Sequence, residues 1–461
     1  MDDTANALAL QGDFTLPESK IVAFFRQFKV IHLAGRCGIS KAKGVSIGTL
    51  LMTLVSLPFL GQNIYRAVVN NQRCEIGKDA VYDFLASSRF SWRRFLLQLA
   101  LQATAMLDAL THENRETVLI LDDTAIERPR AKKVELLARV FDHCEGRFLK
   151  GFRMLTLAWS DGASLIPLDF ALLSSAAPCN RYQNATKAVD RRSCGAMRRR
   201  EATTKSTALL VPMLRRVLAA GTKARYLLMD SWFGLPAIIS ALCPFLPVIC
   251  MVKMTPKILY GFGGKRLTLE GIYREIKKRR GRAKVLASAV ITLNGGQSAR
   301  LVFVRDRRKK DWLALLSTDL SLPEADVVRI YGKRWDIEVF FRTANQFLGL
   351  EKGCQARDFD SLIAHATIVL MRSIILSVEQ RRNHDPRTLG LLFHACCEEM
   401  RDLSYLESLM RILDLTRDRM SQNNCWPEHF YQVMADAILG QAIDFLGLKA
   451  NICQRTQRIA A

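Results

Sequence analysis

Two short apolar runs that stop at an acid constrain this chain most. Val118-Leu119-Ile120-Leu121 ends at Asp122 and Asp123, and Tyr226-Leu227-Leu228-Met229 ends at Asp230. Runs this short and this apolar read as buried strands. Side chains at the C-terminal edge of such strands project into the crevice where an α/β sheet binds its ligands. The pattern therefore predicts an α/β fold with carboxylates at a ligand-binding edge. Taken singly, an Asp at a strand end is more often a turn or cap residue.

The flanking sequence has a different texture. Apolar residues recur at helical spacing from residue 17 to 110, with Ser46 and Ser91 as N-cap candidates. This predicts a helical N-terminal domain over 1–112. Residues 151–173 read as two or three strands with a turn at Ser160-Asp161-Gly162, and the polar stretch 180–206 reads as a loop. A β-rich insertion is expected at about 255–322, within an α/β domain over 113–354. Helical periodicity returns at Glu324, so 355–461 reads as a helical C-terminal region.

Charge narrows the partners. The net charge is +23, and residues 111–350 carry 42 Lys/Arg against 22 Asp/Glu, nearly the whole excess. A field of one sign on that scale implies a polyanion, and a duplex phosphate backbone is the usual one. The segments Arg128–Lys133, Arg198–Arg200, Lys277–Lys284 and Arg305–Lys310 are candidate phosphate contacts, each alternatively a solvated face. None of the 12 cysteines forms a CxxC pair, and no zinc spacing is visible; His143-Cys144 stands without partners. The apolar stretches Ile47–Leu60 and Ser361–Val378 are broken by Pro58 and by His365 and Arg372. Both read as buried helices, so no membrane partner is expected. The acidic first residues lack a signal-peptide pattern, and a cytoplasmic, nucleoid-associated location is expected.

Glu338 supplies a third acid. Tyr331, Arg334, Glu338, Arg342 and Asn345 recur every three or four residues and form one polar stripe on a helix, opposite Val327, Ile330, Ile337, Phe341 and Leu348. A Glu beside Arg and Tyr suits a metal site flanked by phosphate contacts. The same spacing also suits an exposed stripe stapled by Arg334 and Glu338. Three carboxylates make an oxygen-rich site for Mg²⁺ or Mn²⁺. Two such ions about 4 Å apart activate a water or 3′-hydroxyl and stabilise the leaving oxygen of a phosphodiester.

The segment Tyr331-Gly-Lys-Arg334-Trp-Asp-Ile-Glu338 resembles the Tyr-x2-Arg-x3-Glu signature of the hairpin-forming DDE transposases of bacterial insertion sequences. The order of parts is similar too: the Asp122-Asp123 strand, the Asp230 strand, a β-rich insertion, then the Glu338 helix. The resemblance spans about 115–350. It implies an RNase H-like core in which the first Asp, Asp230 and Glu338 hold two Mg²⁺ ions, with no nucleotide cofactor. It implies double-stranded DNA as partner, both transposon ends and target, cut through a hairpin and joined by a homodimer. Asp122 fits the Asp-x-Thr pattern with Thr124, whereas Asp123 fits members with an acid before the catalytic Asp; the reading inclines to Asp122. Tyr331 and Arg334 resemble the residues that grip the phosphate near a flipped base, with Trp335 packed beside them. Where the family has a Lys after Glu338, this chain has Asn345, and Arg342 supplies a nearby cation. Trp312 resembles a tryptophan that wedges into DNA, or is a packed residue of the insertion. Two rivals are kept: a nuclease of the same fold without strand transfer, and an inactive DNA-binding descendant.

Overall fold

The Val118–Leu121 run forms an inner strand of an eleven-stranded sheet. The structure is a computed structural model, and it describes residues 18–448 apart from 70–75, 111, 113–114, 143–144, 187, 280–282, 307–310, 383 and 423–426. His143-Cys144 and parts of two basic segments, 280–282 and 307–310, lie outside the described residues. In chain order the strands are β1 (Val118–Glu127), β2 (Ala138–Asp142), β3 (Arg147–Ser160), β4 (Leu165–Leu173), β5 (Tyr226–Met229) and β6 (Val248–Val252). Then come β7 (Tyr260–Phe262), β8 (Lys265–Leu267), β9 (Val285–Thr292), β10 (Ser298–Asp306) and β11 (Asp311–Ser317). Their order across the sheet is β2-β3-β1-β5-β6-β11-β10-β9-β7-β8, with β4 paired to β3.

Two pairings decide where function can sit. β1, β5 and β6 run parallel, and the remaining pairs are antiparallel. Asp230 follows the last residue of β5, at the C-terminal edge of the parallel strands. The first run does not end at its acids as expected: β1 continues through Asp122 and Asp123 to Glu127, paired with β3, so Asp122 stands mid-strand, just past the last residue paired with β5. The β-rich segment does not stand apart, because β11 pairs with β6 and continues the same sheet. The result is a mixed α/β fold, a large mixed sheet with helical flanks, consistent with an RNase H-like DDE core.

The chain forms two compact units that do not follow chain order. Among the described residues, one holds 33–40 and 79–385, and the other holds 18–32, 41–78 and 386–448. In the sheet unit all nine residues of β4 are buried, under the Trp92–Ala109 and Phe359–Arg382 helices. The second of these helices is long and apolar enough to cross a membrane, yet its most apolar stretch is wholly buried within the unit. In the other unit Lys20 pairs with Glu399 at 2.6 Å, and Phe59 meets Phe393 with ring centroids 5.2 Å apart. The Leu389–Gln422 and Glu428–Phe445 helices pack there through Met410, Leu413, Tyr431, Ala435 and Leu439.

Two local expectations change. The 180–206 stretch contains a helix, Cys194–Ala202, whose first turn is capped by Ser193 Oγ accepting from the Ala196 N–H at 3.1 Å. Its Arg198 and Arg199 are buried rather than solvated. Arg198 Nε lies 2.6 Å from Asp360 Oδ1, Arg199 Nη1 lies 3.0 Å from the same oxygen, and Arg199 also forks onto Glu135 with two bonds of 2.8 Å. They are excluded as phosphate contacts, because buried cations of this kind persist only when paired. The second change is a break in the polar-stripe helix, which divides into Glu324–Gly332 and Trp335–Gln346. Gly332, a poor helix former, sits at the break.

Candidate active site

The site begins with strand register. Leu121 pairs with Met229 across the parallel β1–β5 ladder, so Asp122 and Asp230 are the next residues on adjacent strands. Neighbouring strands lie about 4.8 Å apart. Asp230 is fixed by the loop that follows: its Oδ1 accepts from the N–H of Trp232 at 2.9 Å and of Phe233 at 3.3 Å. Gly234 then runs against β6, where a Cβ would come within 2.2 Å of the Met251 carbonyl oxygen. Any side chain at 234 would push the loop, and Asp230 with it, off the strand.

The two helices that meet at Arg334 are tied to the sheet by polar contacts on both sides of it. Glu116, just before β1, receives Arg329 through Nη1 at 2.8 Å and also binds Lys333. The Arg329 bonds hold the Glu116 carboxyl well below the usual range, at about 2. Asp336 accepts from Ser160 Oγ of β3 at 2.6 Å. Between these anchors Arg334 reaches back to the acids: its Nη1 lies 2.9 Å from Asp122 Oδ2, and its Nη2 donates to Glu338. One guanidinium thus joins two of the three sequence-chosen carboxylates. The expected i,i+4 staple is present, but it also carries Asp122.

Asp122 and Asp123 point to opposite faces, as neighbours on a strand must. Asp123 Oδ1 meets Arg153 Nη2 of β3 at 2.8 Å, and its Oδ2 is buried without a hydrogen-bond partner. Burial raises all three aspartates above the ordinary range. Asp122 is pushed up to about 7, by burial first and by the nearby Asp230 charge second, against the pull of Arg334. Carboxylates crowded in this way lack positive charge, the condition that a divalent cation relieves. The oxygen donors suit a hard cation. Among the described residues, however, no group of three or more His, Cys, Asp or Glu converges into a ready metal cage. Arg334 stands between Asp122 and Glu338 as the cation a metal would displace.

The remaining sequence-chosen residues fall in several settings. Tyr331 is half-buried, with Arg334 5.9 Å from its ring centroid, and burial pushes its hydroxyl above the ordinary range. Trp335 and Arg342 are exposed. Asn345 is half-buried and its Oδ1 has no hydrogen-bond partner. Trp312 packs on Tyr273 and Phe303, with centroids 4.8 and 5.0 Å away. These are the contacts of the insertion's own aromatic core. The sequence reading passed over Arg153, the partner of Asp123, and Trp232, whose ring lies 5.8 Å from Arg153 and 5.5 Å from Lys253. An aromatic two residues beyond a strand-end acid was the signal available for Trp232.

Residues 62–257 match the model of a family described as DDE superfamily endonuclease. That segment resembles a DDE endonuclease. The match takes in β1, β5 and β6 with Asp122, Asp123 and Asp230, and ends before the Glu338 helix. It supports a nuclease or transposase type of function, and enzymes of this type generally use divalent metal ions on DNA. No curated protein matches the chain.

Proposed function

We propose that this chain is a metal-dependent DNA transposase of an insertion sequence. In this reading Asp122, Asp230 and Glu338 bind two Mg²⁺ ions, Mn²⁺ serving in their place. The observation that carries it is the meeting of three elements: Asp122 and Asp230 one residue beyond a parallel register pair, and Glu338 tied to Asp122 through Arg334. When bound, the ions supply an activated water or 3′-hydroxyl and charge stabilisation at the phosphodiester. The chain's residues position that chemistry. The Trp232 and Phe233 N–H groups hold Asp230 in place. Glu116 and Ser160 fix the helix that presents Glu338. Arg334, released from the carboxylates, becomes a phosphate ligand beside Tyr331, with exposed Trp335 and Arg342 meeting DNA. A hairpin intermediate, strand transfer by a homodimer and a wedge role for Trp312 belong to the same proposal.

Asp230→Asn tests the reading. We expect loss of Mg²⁺-dependent cleavage with DNA affinity retained; surviving cleavage overturns the assignment. The description of the matched family favours a second reading, a nuclease without strand transfer. A pre-cut DNA end incubated with target DNA separates the two: joined products support the transposase, and cleavage without joining supports the nuclease.

A further inference from the structure

A second feature lies beside the acids and is not used by the chemistry above. A cavity of about 470 Å³ opens within the sheet unit. Its walls include Arg139, Phe148, Arg153, Lys205, Trp232 and Lys253, and among the described residues no acidic side chain lines it. Two aromatic faces are presented there, since Phe148 is 54% and Trp232 38% exposed. Each is flanked by cations: Arg139 stands 4.0 Å over the Phe148 ring, and Arg153 and Lys253 stand within 5.8 Å of the Trp232 ring. Aromatic rings set among cations favour an anionic ligand that also carries a flat apolar part.

The geometry points to a binding site for a short unpaired stretch of single-stranded DNA. We infer that a base stacks on Trp232 or Phe148 while Arg139, Lys205 and Lys253 hold its phosphates. Stacking faces interleaved with cations are the means by which proteins bind single strands without reading sequence. The cavity has the volume of a small-molecule site, room for one or two nucleotides and too little for a duplex about 20 Å across. Its place supports the assignment. Trp232 holds Asp230 through its backbone N–H, so the cavity wall shares this residue with the loop that fixes one of the proposed metal ligands. The inference rests on the proposed function only for the source of the single strand, the DNA being cut.

The test is made on the full chain in EDTA, so that no cleavage is needed to read it. The probe is a duplex with a three-nucleotide single-stranded extension carrying 2-aminopurine, compared with the blunt duplex. Wild type should quench the 2-aminopurine on binding and prefer the extended probe. Phe148→Ala and Arg139→Ala alter exposed side chains, and Trp232→Ala keeps the backbone N–H. Each should weaken binding of the extended probe about tenfold and change blunt-duplex binding by less than about twofold. Equal losses on both probes would make the cavity part of a general basic surface and overturn the inference. So would variants that bind the extended probe as wild type does. Asp230→Asn should bind both probes normally. If wild type never cleaves DNA yet the variants lose the extension, the transposase reading fails and the cavity assignment stands. If wild type cleaves and the variants bind normally, the reverse holds.

Discussion

Asp122 and Asp123 are adjacent on one strand and each faces an arginine at hydrogen-bond distance, yet the two pairs are built differently. Asp123 meets Arg153 on the next strand, a diagonal neighbour set by the β1–β3 ladder. Both backbones belong to one ladder, so the spacing of this pair is set by the sheet. Asp122 meets Arg334 at the start of a helix, and Arg334 is shared with Glu338. That pair can open by rotation of one side chain. A carboxylate locked to a strand arginine suits architecture, and one neutralised by a displaceable helix arginine suits a site that must exchange one cation for another. The asymmetry favours Asp122 as the first metal ligand.

The largest expected effect breaks the comparison outright. Asp122→Asn should lower Mg²⁺-dependent cleavage by a thousandfold or more, on the order of what losing one essential group of a catalytic unit costs. Asp123→Asn should keep cleavage within about tenfold of wild type. Gel assays on a labelled duplex read both. If the two results were exchanged, the site would be on the Arg153 face and the Arg334 contact would be structural.

Arg334→Ala sharpens the same contrast with a smaller effect. Removing the guanidinium frees Asp122 and Glu338 for a cation, and a charge-assisted bond of this kind contributes roughly 1.5–3 kcal/mol. Mn²⁺ should therefore bind about tenfold more tightly without DNA, as the electron paramagnetic resonance signal of free Mn²⁺ would report. Arg153→Ala, which touches neither Asp122 nor Glu338 and acts on Asp230 only through its charge, should tighten Mn²⁺ less than Arg334→Ala does. Greater tightening by Arg153→Ala would reverse the roles of the two arginines.

What the chain's own letters disclosed follows the same division between local and distant partners. The two apolar runs were legible as strands because four apolar residues in a row have few other places to go; the continuation of β1 past Asp122 to Glu127 was not, because it rests on pairing with β3. The Arg334–Glu338 staple was legible because i,i+4 neighbours share a helix face. Asp122 as Arg334's second partner was not, because 212 residues separate them. Arg198 and Arg199 misled for the same reason. A basic run in a polar stretch looks solvated until Glu135 and Asp360, 64 and 162 residues away, fold in against it. The Trp232 cavity was hidden likewise, since its aromatics and cations come from five separate parts of the chain.

The smallest effect concerns what keeps Arg334 in reach of Asp122. Glu116 receives Arg329 and Lys333, and these contacts hold the end of the preceding helix and the turn that leads into Arg334. Its folded pKa, about 2, lies below the ordinary carboxylate value of 4.5. The stabilisation is therefore present above about pH 4.5 and fades as pH falls toward the folded value. Glu116→Gln should lower stability by about 1 kcal/mol at neutral pH, the upper range for a partly exposed ion pair. The difference between variant and wild type in denaturant midpoint should shrink steadily as the titration is repeated from pH 6 down to pH 3. A difference that stays constant with pH would show that Glu116 acts by shape, leaving Arg334 to be placed by its own contact with Asp122.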